Sequence, residues 1–125
     1  MIDIQQVIHH HNLLIDAFGG SYGVRDRDLL ESSLAIPFVT FDQQELYPDA
    51  ISKASAVLES LLINHPFVDG NKRTGYLLMR LILLEEGLDI FASQHEKYEF
   101  VIKVAEGSFN FEKIKEWIAN KIVTL

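Results

Sequence analysis

No cysteine occurs among the 125 residues, which removes disulfides, thiolate metal sites and cysteine nucleophiles and makes a reducing, cytoplasmic setting the expected one. Positive charge is scarce too. Eleven Lys and Arg stand against 18 Asp and Glu, a formal charge of -7. That balance excludes a general nucleic-acid binder and counts against a helical DNA-binding module, because backbone affinity comes from clustered basic residues. Any anion site must be local. No apolar run is long enough to span a bilayer, and Met1 to Gln5 lacks the basic and apolar regions of a secretory signal. Blocks of like charge, low-complexity stretches and internal repeats are missing as well, so a single domain over residues 1–125 is expected.

What is present is a globular composition, 48% hydrophobic and 23% charged, with apolar residues returning every three or four positions. An all-α fold follows, with about six helices. Asp3 is placed to cap a first helix carrying Ile4, Val7, Ile8, Leu14, Ile15 and Phe18 and stopping at Gly19-Gly20. Asp26 caps a second, with Leu29, Leu30, Leu34 and Ile36, ended by Pro37. Between Pro37 and Pro48 the pattern changes to Phe38-Val39-Thr40-Phe41, a polar Asp42 to Glu45, then Leu46-Tyr47, which reads as a short β-hairpin or extended flap. A third helix starts after Pro48-Asp49 and must stop near His65, which precedes a proline.

The fourth helix, from Asn71 to Gly87, is apolar nearly all round and reads as the central buried helix. Ser93 to Glu96 has capping-box spacing for a fifth helix ending at Gly107, and Asn110 opens a sixth whose inner face is Trp117, Ile118 and Ile122.

The chemistry is concentrated in His65-Pro66-Phe67-Val68-Asp69-Gly70-Asn71-Lys72-Arg73. Gly70 followed by Asn71 permits positive φ, turning successive N–H groups toward one point where the fourth helix opens. The orphan amides and positive end of that helix favour phosphate, and Lys72 and Arg73 add charge there. Asp69 offers a hard oxygen ligand to Mg²⁺ shared with nucleotide phosphates. His65, as a neutral imidazole, can take the proton of an attacking hydroxyl. Phe67 would pin the loop to the core.

This loop resembles the core motif of the Fic/Doc family, and Gly19-Gly20-Ser21-Tyr22-Gly23-Val24-Arg25-Asp26 with Leu29-Leu30-Glu31-Ser32 resembles the N-terminal portion of Doc-type members. The resemblance implies a compact helical bundle around a central buried helix, with the flap over the active site where an extended target segment adds a strand. Adenylyl-transferring members carry glycine where this chain has Lys72 and a second arginine where it has Tyr76. The lysine form is similar to Doc toxins, which implies a kinase moving the γ-phosphate of ATP onto a threonine of elongation factor Tu, paired with a Phd-like antitoxin. In that reading His65, Lys72 and Arg73 are catalytic, Phe67, Gly70, Asn71, Lys72 and Arg73 bind ATP, and Asp69 holds Mg²⁺. Fic-type AMP transfer to a protein hydroxyl and a non-catalytic partner-binding protein are the alternatives.

Taken singly, each residue has a plainer reading. His65 would cap a helix, Asp69 would sit in a turn, and Lys72 and Arg73 would form a solvated face. His9-His10-His11 projects about 100° apart per residue and cannot converge on one ion, so it reads as helix surface and core edge. Ser108 and Glu112 are spaced like an autoinhibitory element of some Fic proteins, but Lys113 departs from it and an Asn110 cap explains the segment.

Overall fold

A computed structural model describes residues 2–125. Six α-helices dominate it: α1 (Ile4–Phe18), α2 (Arg27–Ala35), α3 (Ala50–Asn64), α4 (Asn71–Glu85), α5 (Gln94–Ala105) and α6 (Phe111–Lys121). Five begin on a side-chain cap. Asp3, Asp26, Asp49, Ser93 and Asn110 each accept a first-turn N–H, and Ser93 with Glu96 completes the capping box. The all-α architecture read from periodicity is the one observed.

The bundle surrounds a central buried helix, and that helix is α3. It buries nine residues, among them Val57, Leu58, Leu61 and Leu62, whereas α4 buries five. The apolar count of α4 pointed to the wrong helix because Leu77, Leu81, Ile82 and Leu84 stay partly open. On α3, Ser52, Ala54, Ser55, Ala56 and Ser60 are buried small residues that let α4, α5, α6 and α2 close in. Gly75 of α4 lies against α3 so tightly that a Cβ there would be 2.5 Å from Leu62 Cδ1. Around α6, Ile114 and Ile118 are buried, and Trp117 stacks on Phe100 of α5 at 3.8 Å.

The expected flap is a hairpin. After a 3-10 turn at Ile36–Phe38 forced by Pro37, β1 (Thr40–Phe41) pairs antiparallel with β2 (Gln44–Glu45). Asp42 and Gln43 both take positive φ, 52° and 63°, as a two-residue hairpin loop demands. Lys53 of α3 holds its base, donating to Glu45 Oε1 at 2.8 Å, to the Tyr47 carbonyl and, at 3.4 Å, to that of Pro37.

A second ribbon was not expected: β3 (Leu88–Ile90) pairs antiparallel with β4 (Ile122–Thr124), Ile90 opposite Ile122. Ile122 therefore follows α6 as a strand residue and is not part of its inner face. Phe18 also departs from the periodic reading; at 61% exposure it lies outside the core.

Candidate active site

The loop joining α3 to α4 is held from four directions. At its start, His65 ends α3 in the left-handed region, φ 48° and ψ 59°, a conformation uncommon for a side chain with a Cβ. Arg25 supports it: Nε donates to the His65 carbonyl and Nη2 to that of Asn64, both at 2.7 Å. A guanidinium at these terminal carbonyls satisfies orphan acceptors and complements the negative end of α3. One residue back, Asn64 Nδ2 donates to Ser33 and Ser60, and Ser60 donates to Ser33 at 2.9 Å, so α2 also fixes the end of α3.

Residues 66–68 run alongside 23–26. Arg25 N and Asp26 N donate to the Pro66 carbonyl at 2.8 and 3.1 Å, and Val68 N donates to Gly23 O at 3.0 Å. This explains the N-terminal motif in physical terms, as the strip of backbone on which the loop lies. Phe67 is 1% exposed, as expected of an anchor. Its ring faces the core, and its main chain is occupied too: Phe67 N donates to Asn71 Oδ1 and Asn71 Nδ2 donates to Phe67 O, each at 3.0 Å. Phe67 thus offers a ligand no free main-chain N–H. The Asn71 side chain is committed to the loop through one donor and one acceptor, while its main-chain N–H is free for a ligand.

Gly70 is the turning point. Its φ is 75°, and a Cβ there would meet Ile15 Cδ1 at 3.2 Å and His11 Nε2 at 3.3 Å, so glycine is required twice over. It also leaves α4 as the one helix of the six, among the described residues, with no side-chain cap. The first-turn amides of Asn71, Lys72 and Arg73 are therefore without a protein side chain at the end where the helix dipole is positive. Those free donors are chemically matched to a phosphate, and the set fits one.

Around this opening, Asp69 is exposed; Oδ1 accepts from Gly70 N at 2.8 Å and Oδ2 from Ser21 N at 3.2 Å. Each oxygen keeps lone-pair capacity outward, as a metal ligand needs. Among the described residues no cluster of three His, Asp or Glu side chains surrounds it, so Mg²⁺ at Asp69 would take its other ligands from phosphate and water. Lys72 and Arg73 are exposed and form no ion pair among the described residues, while Arg73 lies over the Phe18 ring at 4.6 Å. Phe18 outside the core thereby gains a role as a cation–π platform. The His65 ring is exposed with no hydrogen-bond partner among the described residues, and no hydrogen bond links it to Asp69.

Two residues near the loop went unread in the sequence. Arg25 lay inside a recognised motif without a role. His11, grouped with the surface histidines, is 1% exposed; the Val7-His11-Ile15 spacing placed it on the buried stripe of α1. At the other end of the first α4 turns, burial pushes the Tyr76 hydroxyl up to about 12, and its oxygen has no partner. No cation stands where adenylyl-transferring members have their second arginine.

Helices packed on α3, with an uncapped helix start fed by a His-Pro-Phe loop, define a Fic-type fold and site. The chain belongs to the Fic/DOC family, whose model it matches over residues 1–83, and it is similar to a relative of Doc type. That relative is Toxin Doc of Mycolicibacterium smegmatis, 42% identical over 76 residues. The match covers 61% of this chain and 58% of the relative.

Proposed function

We propose that this protein is a Doc-like toxin of a toxin–antitoxin pair, acting in the cytoplasm, with residues 1–125 as one domain that transfers the γ-phosphate of ATP to a protein hydroxyl. The observation carrying this reading is the uncapped, amide-rich start of α4 with Asp69 before it and two unpaired cations upon it. Phosphoryl transfer demands positioning and charge neutralisation above all, and this arrangement supplies both.

In this mechanism the amides of Asn71, Lys72 and Arg73 bind the phosphate oxygens, with the Lys72 and Arg73 side chains neutralising the charge that develops on the transferring group. Asp69 would hold Mg²⁺, whose chemistry when bound would be to screen the repulsion between phosphates and nucleophile. The target hydroxyl forms its bond to the γ-phosphorus as the bond to the ADP oxygen breaks, and the imidazole of His65 takes the hydroxyl proton. Arg25 and the α2–α3 polar cluster keep His65 in place. The part of a flap that adds a target strand is assigned by resemblance to the hairpin β1–β2, where Phe41 is exposed. By family resemblance that target is a threonine of elongation factor Tu, and the neutralising partner is a Phd-like antitoxin.

AMP transfer is the competing reading. Lys72 in the cradle and half-buried, uncharged Tyr76 weigh against it, because a second bidentate phosphate clamp is missing. Purified protein, Mg²⁺ and cell extract incubated with ATP labelled at the γ or the α position separate the two. Protein-bound label from the γ position is expected. Label from the α position alone would replace kinase by nucleotidyl transfer, and label from neither would leave a partner-binding role.

A further inference from the structure

We infer that His11, a buried histidine on α1, is a positioning residue that sets the aim of Asp69 and the turn at Gly70 by donating a hydrogen bond from Nε2 to the Asp69 carbonyl. This rests on the proposed site, since positioning matters to a ligand only if that loop binds one.

Four observations converge. Nε2 lies 2.6 Å from Asp69 O, across 58 residues of sequence. The ring is 1% exposed and stacks on Phe67 at 3.9 Å with a 6° tilt. A Cβ at Gly70 would lie 3.3 Å from Nε2, so the imidazole is the floor beneath the left-handed turn. The flanking positions of the same stripe, Val7 and Ile15, are buried apolar residues.

A polar ring in an apolar stripe is costly to bury unless a partner satisfies it, and the partner here is the main chain of the loop rather than another side chain. A carbonyl oxygen only accepts. Nε2 must therefore carry the hydrogen of this bond. The ring then does two separable jobs: the stack fills space under Phe67, and the donor fixes the peptide between Asp69 and Gly70. That peptide's orientation determines where the Asp69 carboxylate points and where the first α4 amides open. Leucine or phenylalanine can do only the first job, whereas glutamine, with an amide nitrogen of similar reach, can do the second.

The decisive readouts do not require activity. In the wild-type protein, ring ¹⁵N shifts should identify His11 as the Nε2–H tautomer; a protonated Nδ1 with bare Nε2 would overturn the inference without any variant. Next, amide hydrogen exchange without nucleotide is compared in His11→Phe and His11→Gln. His11→Phe should speed exchange at least tenfold at Phe67, Val68 and Thr74, the hydrogen-bonded amides on either side of the turn, while α3 and α6 are unchanged, and His11→Gln should stay within about threefold of wild type. Equal protection in His11→Phe would refute the positioning role, as would loss in His11→Gln as large as in His11→Phe.

Calorimetric titration with Mg-ATP then connects loop to ligand: about tenfold weaker binding in His11→Phe, restored by His11→Gln, is expected. A loosened loop that binds Mg-ATP as tightly as wild type would contradict the aim assigned to His11. Wild-type protein that bound no Mg-ATP would defeat the proposed function, while the exchange and tautomer results would still decide whether His11 holds the loop.

Discussion

At the scale of single residues, the loop separates side chains that build it from side chains that face outward, and the two kinds should fail differently. Asn71 satisfies both main-chain groups of buried Phe67. Asn71→Ala leaves them without partners and should destabilise the fold by about 1–3 kcal/mol, a fall of several degrees in thermal unfolding. Gly75→Ala would push a methyl into Leu62 and should cost about 1–3 kcal/mol by overpacking, measurable by the same melt. His65 is exposed and its ring bonds to nothing. His65→Ala should melt within about 1 kcal/mol of wild type yet lose about 10²- to 10⁴-fold in phosphoryl transfer, as read by γ-label incorporation. A large fall in melting temperature would recast His65 as a structural cap. The residue types of this loop were legible in sequence because nine unusual choices stand together. What each was for was less so, since the structural part of Asn71 and Phe67 shows only when their hydrogen bonds are traced. His11 was hidden by two neighbouring histidines, although its spacing from Val7 and Ile15 carried the signal.

At the scale of elements, caps and breakers announced nearly every helix, while short strands announced themselves only where local. The flap showed because its two strands and turn are adjacent in sequence. The β3–β4 ribbon did not, because Leu88 to Ile90 finds its partner only after two helices have folded between them. Arg80 of α4 ties that ribbon down through two bonds to Asp89, 2.8 and 2.9 Å, and these hold the Asp89 carboxyl at about 2. Because the folded value lies below the ordinary unfolded one of about 3.9, the pair stabilises fully above about pH 4 and its contribution is lost as pH falls through about 2. Asp89→Asn should lower unfolding free energy near neutrality by about 0.5–1 kcal/mol, as expected for a partly solvated pair, and denaturant melts between pH 5 and 2 should then lose stability less steeply than wild type. Lys53 plays the equivalent part at the flap. Lys53→Met should leave helical circular dichroism unchanged but raise the rate of limited proteolysis between residues 40 and 45, since both ends of the hairpin lose their tether.

For the molecule as a whole, the packing explains how an acidic protein can host an anion site. Overall charge is -7, yet the amide-rich opening of α4 and its two cations sit together at one end of a helix packed against α3. Hollows elsewhere differ in character: one of about 410 Å³ is lined by Asp49, Glu112, Lys115 and Glu116, and another of about 200 Å³ lies between α1 and α4. Neither contains the loop. The site is an exposed cradle rather than a cavity, in keeping with a phosphate held by main-chain amides and a protein substrate arriving from outside. Periodicity identified the all-α bundle, and it misplaced the centre because apolar content alone does not reveal which helix has small residues on every side.

The most direct test is an amide chemical-shift map of the protein titrated with a non-hydrolysable Mg-ATP analogue. The account predicts that the largest shifts fall on Asp69, Gly70, Asn71, Lys72 and Arg73, and that Asp69→Asn abolishes their magnesium dependence. Shifts confined to the hollows on α1 or α6, or none at the start of α4, would contradict it.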